Sequence, residues 1–227
     1  MASSTVENYL KHLYLQQPPE AEGGLVPTGR LAAALNVTPG TATTMVKALA
    51  ESGLVEHEPH GGARLTSRGR RLALHVLRRH RLLELFLVEI LGLDWSEVHE
   101  EAEVLEHALS DKVLDRIDSL LGHPTVDPHG DPIPSSSGTL PDRDLRGLDA
   151  CQAGELVRIA RVIHQDPVFL RYAHERGLQP GARLEIVGVD PLADSVTVRP
   201  IGAGSLTVST ATARQFLATS ESAQRRS

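Results

Sequence analysis

Only one cysteine, Cys151, stands in the 227 residues, so no disulfide can close within the chain. A reducing, cytoplasmic setting is the simplest expectation for such a chain. No run comes near the ~20 consecutive apolar residues that a membrane-spanning helix requires, so no membrane contact is expected. The opening "MASSTVENYLKHLY" is too polar for a secretion signal. No internal repeat is visible. No nucleophile–base pairing or oxyanion motif accompanies the titratable residues, and an enzyme is not expected.

Charge is present but unevenly placed. The net charge of −6 divides into +4 over residues 1–82 (10 basic, 6 acidic), −12 over 83–150 (4 basic, 16 acidic) and +2 over 151–227 (9 basic, 7 acidic). A basic front beside an acidic middle points to a polyanion partner first and a cation partner second. The plainer alternative is solvated faces of mixed sign.

The front reads as a helix-turn-helix. Val6, Tyr9, Leu10, Leu13 and Tyr14 follow helical spacing over 4–16, and "PPEAEGG" breaks that helix. "PTGRLAAALN" is a short second helix. Thr38 caps a third, with Pro39 at its first position and Gly53 as its stop. "LVEHEPHGGARLT" then reads as a hairpin, which completes the order of a winged helix-turn-helix. The third helix is the candidate recognition helix. Thr38, Gly40, Thr41, Thr43 and Thr44 are small enough for close approach to a major groove, where hydroxyls meet phosphates or base edges. Lys47, the wing residues His60 and Arg64, and Arg30 are candidate backbone clamps, with Arg68, Arg70 and Arg71 following the wing. The competing reading is a winged helix used only to bind protein.

Helix continues over "SRGRRLALHVLRRHRLLELFLVEILGL" and "DWSEVHEEAEVLEHALSDKVLDRIDSLLG". The first segment carries more leucine, valine and phenylalanine than one face can hold, so part of it is expected at a dimer interface and the rest in the core. Histidine and carboxylate four apart on a helix share a face and can converge on one ion. That spacing occurs as His80–Glu84, His99–Glu103 and Glu103–His107, with Glu106 alongside. A lone pair of this kind is usually a surface ion pair. Three of them on neighbouring helices inside the acidic segment favour a metal, because clustered carboxylates repel until a cation neutralises them. Oxygen and imidazole donors without thiolate suit Mn²⁺ or Fe²⁺ better than a structural zinc, although Zn²⁺, Co²⁺ and Ni²⁺ would substitute in vitro. A metalloenzyme and a metal buffer are the other classes; the first needs an open coordination position, and the second predicts no DNA affinity.

After a loop rich in proline and serine, "GELVRIARVI", "ARLEIVGVD", "DSVTVRPIG" and "GSLTVST" are short strands, interrupted by the helix "PVFLRYAHERG". A small β-barrel of about five strands is the expectation.

Taken together, "VENYLKHLY", "GLVEHEPHGGARLTSRGR", "RRHRLLELFLVEILGLDWSEVHEEAEVLEHALSD" and "DPHGDPIP" resemble the diphtheria toxin repressor family of metal-dependent bacterial transcriptional repressors. The resemblance implies a mainly α fold with β: a winged helix-turn-helix domain over 1–73, a helical dimerisation and metal-binding domain over 74–140, a linker over 141–149, an SH3-like domain over 150–220 and a flexible tail over 221–227. It implies a homodimer on a near-palindromic double-stranded DNA operator. It also implies two metal sites: a regulatory one of Asn8, Glu103, Glu106 and His107, and an ancillary one of His80, Glu84 and His99, completed by Asp166 from the SH3-like domain. His164 is a rival for that last place, and Phe169 stands where iron-responsive members are polar. Iron-responsive members have cysteine at the place of Glu103 and methionine at that of Asn8. Glu103 therefore points to a Mn²⁺-responsive repressor of metal-homeostasis genes, with an iron-responsive one as the alternative. Lys11 stands where a manganese-responsive relative has a second acidic ligand, so its paired-ion geometry is not expected to transfer.

Overall fold

The computed structural model describes residues 3–17, 24–141 and 143–221; the "PPEAEGG" helix break and the tail expected over 221–227 fall outside them apart from Gly24 and Glu221. The chain packs as two compact units that cut across linear order. The first takes residues 1–80, 106–109 and 134–140; the second takes 81–105, 110–133 and 141–227.

In the first unit, α1 (Ser4–Gln16) is capped by Ser3 and buries Tyr9, Leu10, Lys11 and Leu13. Short α2 (Thr28–Ala34) and α3 (Pro39–Glu51) follow. The Thr38 side chain accepts from the Thr41 N–H, so the capping signal in the sequence is realised. Strands β1 (Val55–Glu58) and β2 (Gly62–Leu65) pair antiparallel, Val55 opposite Leu65 and Glu58 opposite Gly62. A bridge from Val26 to Ala63 ties the entry of α2 to the wing. Gly62 is obligatory there: its φ is +131°, and a Cβ would lie 2.3 Å from the Val26 carbonyl oxygen. Leu10, Leu13, Leu31, Ala42, Val46, Leu49 and Ala63 form the core. The first half of α4 (Ser67–Glu89) belongs to this unit.

The second unit holds the rest of α4, α5 (Val98–Leu105) and α6 (Asp111–Leu120). The expected continuous helix after Trp95 is broken: α5 stops at Leu105, and Ser110 caps a new helix by accepting from the Val113 N–H. The apolar surplus of α4 is core more than interface. Leu82, Leu83, Leu85 and Leu87 are all buried within the chain, while Ile90, Leu91, Val104, Val113 and Leu120 stay exposed.

The β region is one six-stranded antiparallel sheet in the order β3-β8-β4-β5-β6-β7. Its strands are β3 (Arg146–Gly147), β4 (Leu156–Val162), β5 (Arg183–Asp190), β6 (Ser195–Pro200), β7 (Leu206–Ser209) and β8 (Phe216–Ser220). Helices α7 (Pro167–Glu175) and α8 (Thr210–Ala213) are inserted between strands. β3 lies within the expected linker, and β8 has no counterpart among the expected strands. Bulges fall between Ile159 and Arg161 and between Ile186 and Gly188. Alternate side chains point inward, as in the pairs Val157/Ile159 and Val196/Val198. Trp95, from the segment before α5, is part of this same core. Among the described residues no helix is long and apolar enough to cross a membrane.

Candidate metal centre and nucleic-acid interface

α1 and the turn after α5 bring Asn8, Glu106 and His107 together in the first unit. The His107 Nε2 lies 2.8 Å from Asn8 Oδ1 and 3.3 Å from Glu106 Oε1. Its other ring nitrogen, Nδ1, donates to Glu7 Oε2 at 2.7 Å. That contact fixes the tautomer and turns the Nε2 lone pair toward Asn8 and Glu106. An imidazole lone pair facing the Asn8 amide at 2.8 Å is satisfied by a cation between it and Oδ1, or by the amide turned to donate its N–H. Nitrogen and hard oxygen donors thus converge on one point, which fits a divalent ion.

Behind them lies a buried ionic layer. Glu106 is fully enclosed; Lys11 Nζ donates to its Oε1 at 2.7 Å, and His80 Nδ1 meets its Oε2 at 2.8 Å. Glu7 is shared with Arg79, whose guanidinium lies 3.7 Å from Oε1.

Glu103 falls in the second unit, on α5, where its carboxylate is 3.8 Å from His99 Nε2. The His99 Nδ1 is 3.2 Å from Glu84 Oε1. Asp166 is exposed and caps α7, accepting from the Val168 and Phe169 N–H groups. His164 packs edge-on against Phe169, ring centroids 4.9 Å apart. The second unit also gathers Glu84 with Asp127 and His129, all three buried, with potential ligand atoms within 4.8 Å of one another.

The loop "DPHGD" builds this second cluster. The Asp127 Oδ1 accepts from the N–H groups of His129 and Asp131, which winds the loop into a tight turn. Gly130 sits at φ +86°, and a Cβ there would lie 2.0 Å from the Ala160 oxygen. The His129 carbonyl accepts from Val162 N–H on β4. His129 Nε2 donates to the Trp95 carbonyl at 2.8 Å, so Nδ1 carries the lone pair. That buried Nδ1 has no hydrogen bond among the described residues and lies 4.0 Å from Glu84 Oε2. Burial, then the charges of Asp131 and Glu84, push the Asp127 carboxyl well above its usual range, with Arg81 opposing them. A buried imidazole nitrogen beside two carboxylates could hold a cation, with Arg81 Nε already 3.6 Å from Asp127 Oδ2.

On the wing side, Thr38, Gly40, Thr41, Thr44, Lys47, Arg30 and His60 are exposed, and Thr43 is half-buried. Thr43 and Thr44 donate to the Pro39 and Gly40 carbonyls, and Thr38 and Thr41 hydroxyls share a bond of 2.9 Å. Their lone pairs still face solvent at the start of α3. Arg64 is held by Glu56 across the hairpin at 2.6 Å, which draws its charge away from a phosphate partner.

Three family models cover nearly the whole chain: an iron-dependent repressor N-terminal DNA-binding domain over residues 1–63, an iron-dependent repressor metal-binding and dimerisation domain over 66–135, and a FeoA domain over 146–215. The iron-dependent repressor IdeR of Mycobacterium leprae is 36% identical over 211 residues, 90% of this chain and 87% of that protein. The diphtheria toxin repressor of Corynebacterium efficiens is 31% identical over 81% of this chain and 83% of its own length. The chain belongs to the iron-dependent repressor family. It is a metal-dependent DNA-binding transcriptional repressor, not an enzyme. Among solved structures, a manganese-dependent transcriptional repressor in complex with manganese matches with a TM-score of 0.85 at 39% identity, covering 95% of this chain and all of that one.

Sequence reasoning missed Asp127 and His129 as members of a site. The signal was present in "DPHGD": a carboxylate and an imidazole two apart, bracketed by proline and glycine. Their partner Glu84 is more than forty residues away in sequence, and only packing brings it in. Glu7 and Lys11 were missed as partners of His107 and Glu106 for the same reason.

Proposed function

We propose that this repressor responds to Mn²⁺, held by Asn8, Glu106 and His107, and that a second ion is held by Glu84, Asp127 and His129. The observation that carries the first part is the convergence of His107 Nε2, Asn8 Oδ1 and Glu106 Oε1 with no sulfur among them. An ion there would give the facing His107 Nε2 and Asn8 Oδ1 lone pairs a positive partner.

The chain's own residues provide the coupling. Asn8 rides on α1, whose apolar face packs into the winged core with Leu31, Val46 and Leu49. Glu106 and His107 sit on the turn after α5. Tying the two segments fixes α1, and with it the placement of the DNA-reading helix α3. Only a difference in ion affinity between arrangements can shift their populations, and ~1–3 kcal/mol would tighten operator binding about 5- to 150-fold. A symmetric dimer places two α3 helices on a near-palindromic operator. We assign the dimer contact to the exposed apolar residues Ile90, Leu91, Val104, Val113 and Leu120.

Fe²⁺ is the second reading, favoured by the iron-dependent relatives. The deciding experiment compares operator binding by chelator-stripped protein at matched free Mn²⁺ and anaerobic Fe²⁺, with His107→Ala as control. Activation by Mn²⁺ at lower concentration than Fe²⁺, lost in the control, is expected. Equal DNA binding with and without any metal would end the sensor reading.

A further inference from the structure

We propose that Lys11 is a resident cation of the regulatory site: its ammonium holds Glu106 in place before any ion arrives and keeps the site to a single divalent ion. The inference rests on the reading of Asn8, Glu106 and His107 as that site. It is carried by a buried pairing across 95 residues of sequence that no periodic spacing predicts.

Lys11 lies on the buried face of α1 with a side-chain exposure of 2%, and Glu106 has 0%. Lysine is the residue least often enclosed this way, because its ammonium is strongly hydrated and flexible. A buried ammonium persists only against a buried anion with good geometry. Here Nζ reaches Glu106 Oε1 at 2.7 Å. That oxygen is the same one that faces His107 Nε2 at 3.3 Å. Lys11 therefore takes up lone-pair capacity of a ligand oxygen that a second cation on Glu106 would need. The other carboxylate oxygen is engaged by His80 Nδ1 at 2.8 Å, so both edges of Glu106 are taken.

Two consequences follow. The metal-free protein keeps the buried Glu106 carboxylate paired, so the site is preassembled and carries no uncompensated buried charge. The fixed positive charge also opposes an incoming divalent ion, which weakens its binding. Lys11 thus sets the concentration window of the sensor by setting its affinity.

The test uses the full chain and Mn²⁺ alone. Lys11→Gln keeps an N–H donor, one bond shorter, and removes the charge. It is expected to lower the melting temperature of the metal-free protein and to tighten Mn²⁺ binding about tenfold or more, measured against a chromophoric chelator. In the parent, electron paramagnetic resonance of the Mn²⁺-loaded protein is expected to show isolated ions and no spin-coupled pair. If Lys11→Gln folds only when Mn²⁺ is added, the resident-cation role is supported. If it folds under neither condition, the parent's resonance spectrum decides, and a coupled pair would overturn the proposal. Mn²⁺ binding that depends on His107 but is unchanged or weakened by Lys11→Gln overturns the role of Lys11 alone. A parent that binds Mn²⁺ no better than His107→Ala overturns the sensor reading, and this one with it.

Discussion

Glu7 is predicted to control metal affinity without touching the metal. Its Oε2 accepts from His107 Nδ1 at 2.7 Å, and Arg79 lies 3.7 Å from its other oxygen. The carboxylate keeps the proton on Nδ1 and holds the ring so that the Nε2 lone pair stays aimed at Asn8 and Glu106. Losing an outer-shell partner of this kind costs about 10- to 100-fold in metal affinity, which is ~1.4 to 2.8 kcal/mol. Glu7→Gln retains an acceptor of the right length, so its loss belongs near the lower figure. Glu7→Ala removes the acceptor and frees the ring to turn, so its loss belongs near the upper one. Competition titration of Mn²⁺ against a chelator measures both. By linkage, the Mn²⁺ concentration for half-maximal operator binding should rise with the affinity loss if Glu7 acts only through the metal. A thermal melt of each metal-free variant separates this from unfolding. Glu7→Ala with parental Mn²⁺ affinity and a parental melt would refute the reasoning that Glu7 orients His107.

Three further outcomes are expected. His129→Gln should remove one bound ion per protomer by elemental analysis while the His107-dependent Mn²⁺ affinity persists; an unchanged ion count would rule out the Glu84–Asp127–His129 site. Gly130→Ala forces a Cβ to 2.0 Å from the Ala160 oxygen at φ +86°, so it should cost at least ~2 kcal/mol and lower the melting temperature by several degrees. Lys47→Ala should weaken operator binding evenly across sequences and reduce the slope of log affinity against log salt by about one unit; a change confined to one base position would instead make Lys47 a base reader.

Local signals carried the front of the chain well. Thr38 followed by Pro39 marks the start of α3, and the paired glycines at 61 and 62 mark the wing turn, because caps and turns are set by neighbours. The winged order and the histidine–carboxylate spacing were legible for the same reason. Helix ends were less legible than helix starts: α5 stops at Leu105, so Glu106 and His107 lie on the turn after it, while Glu103 lies on α5 with its carboxylate 3.8 Å from His99 Nε2. The partners supplied by packing, Lys11 for Glu106 and Glu84 for His129, lie 95 and 45 residues apart in the chain, beyond any periodic signal. Strand β8 was hidden because "FLATS" is short and its register is set by β4 and β3, not by its own alternation.

The sequence has one tryptophan. It is Trp95, buried, with its ring centroid 5.5 Å from that of His129 and its carbonyl holding the His129 Nε2 proton. Ultraviolet emission selected for tryptophan therefore comes from a single address, beside the imidazole of the second candidate site. Loading that site with paramagnetic Mn²⁺ or with spectroscopically silent Zn²⁺ should quench the emission to different depths, without dye, tag or substitution. An ion at that candidate site would thus be read optically, in a cuvette, during the same titration that follows the operator.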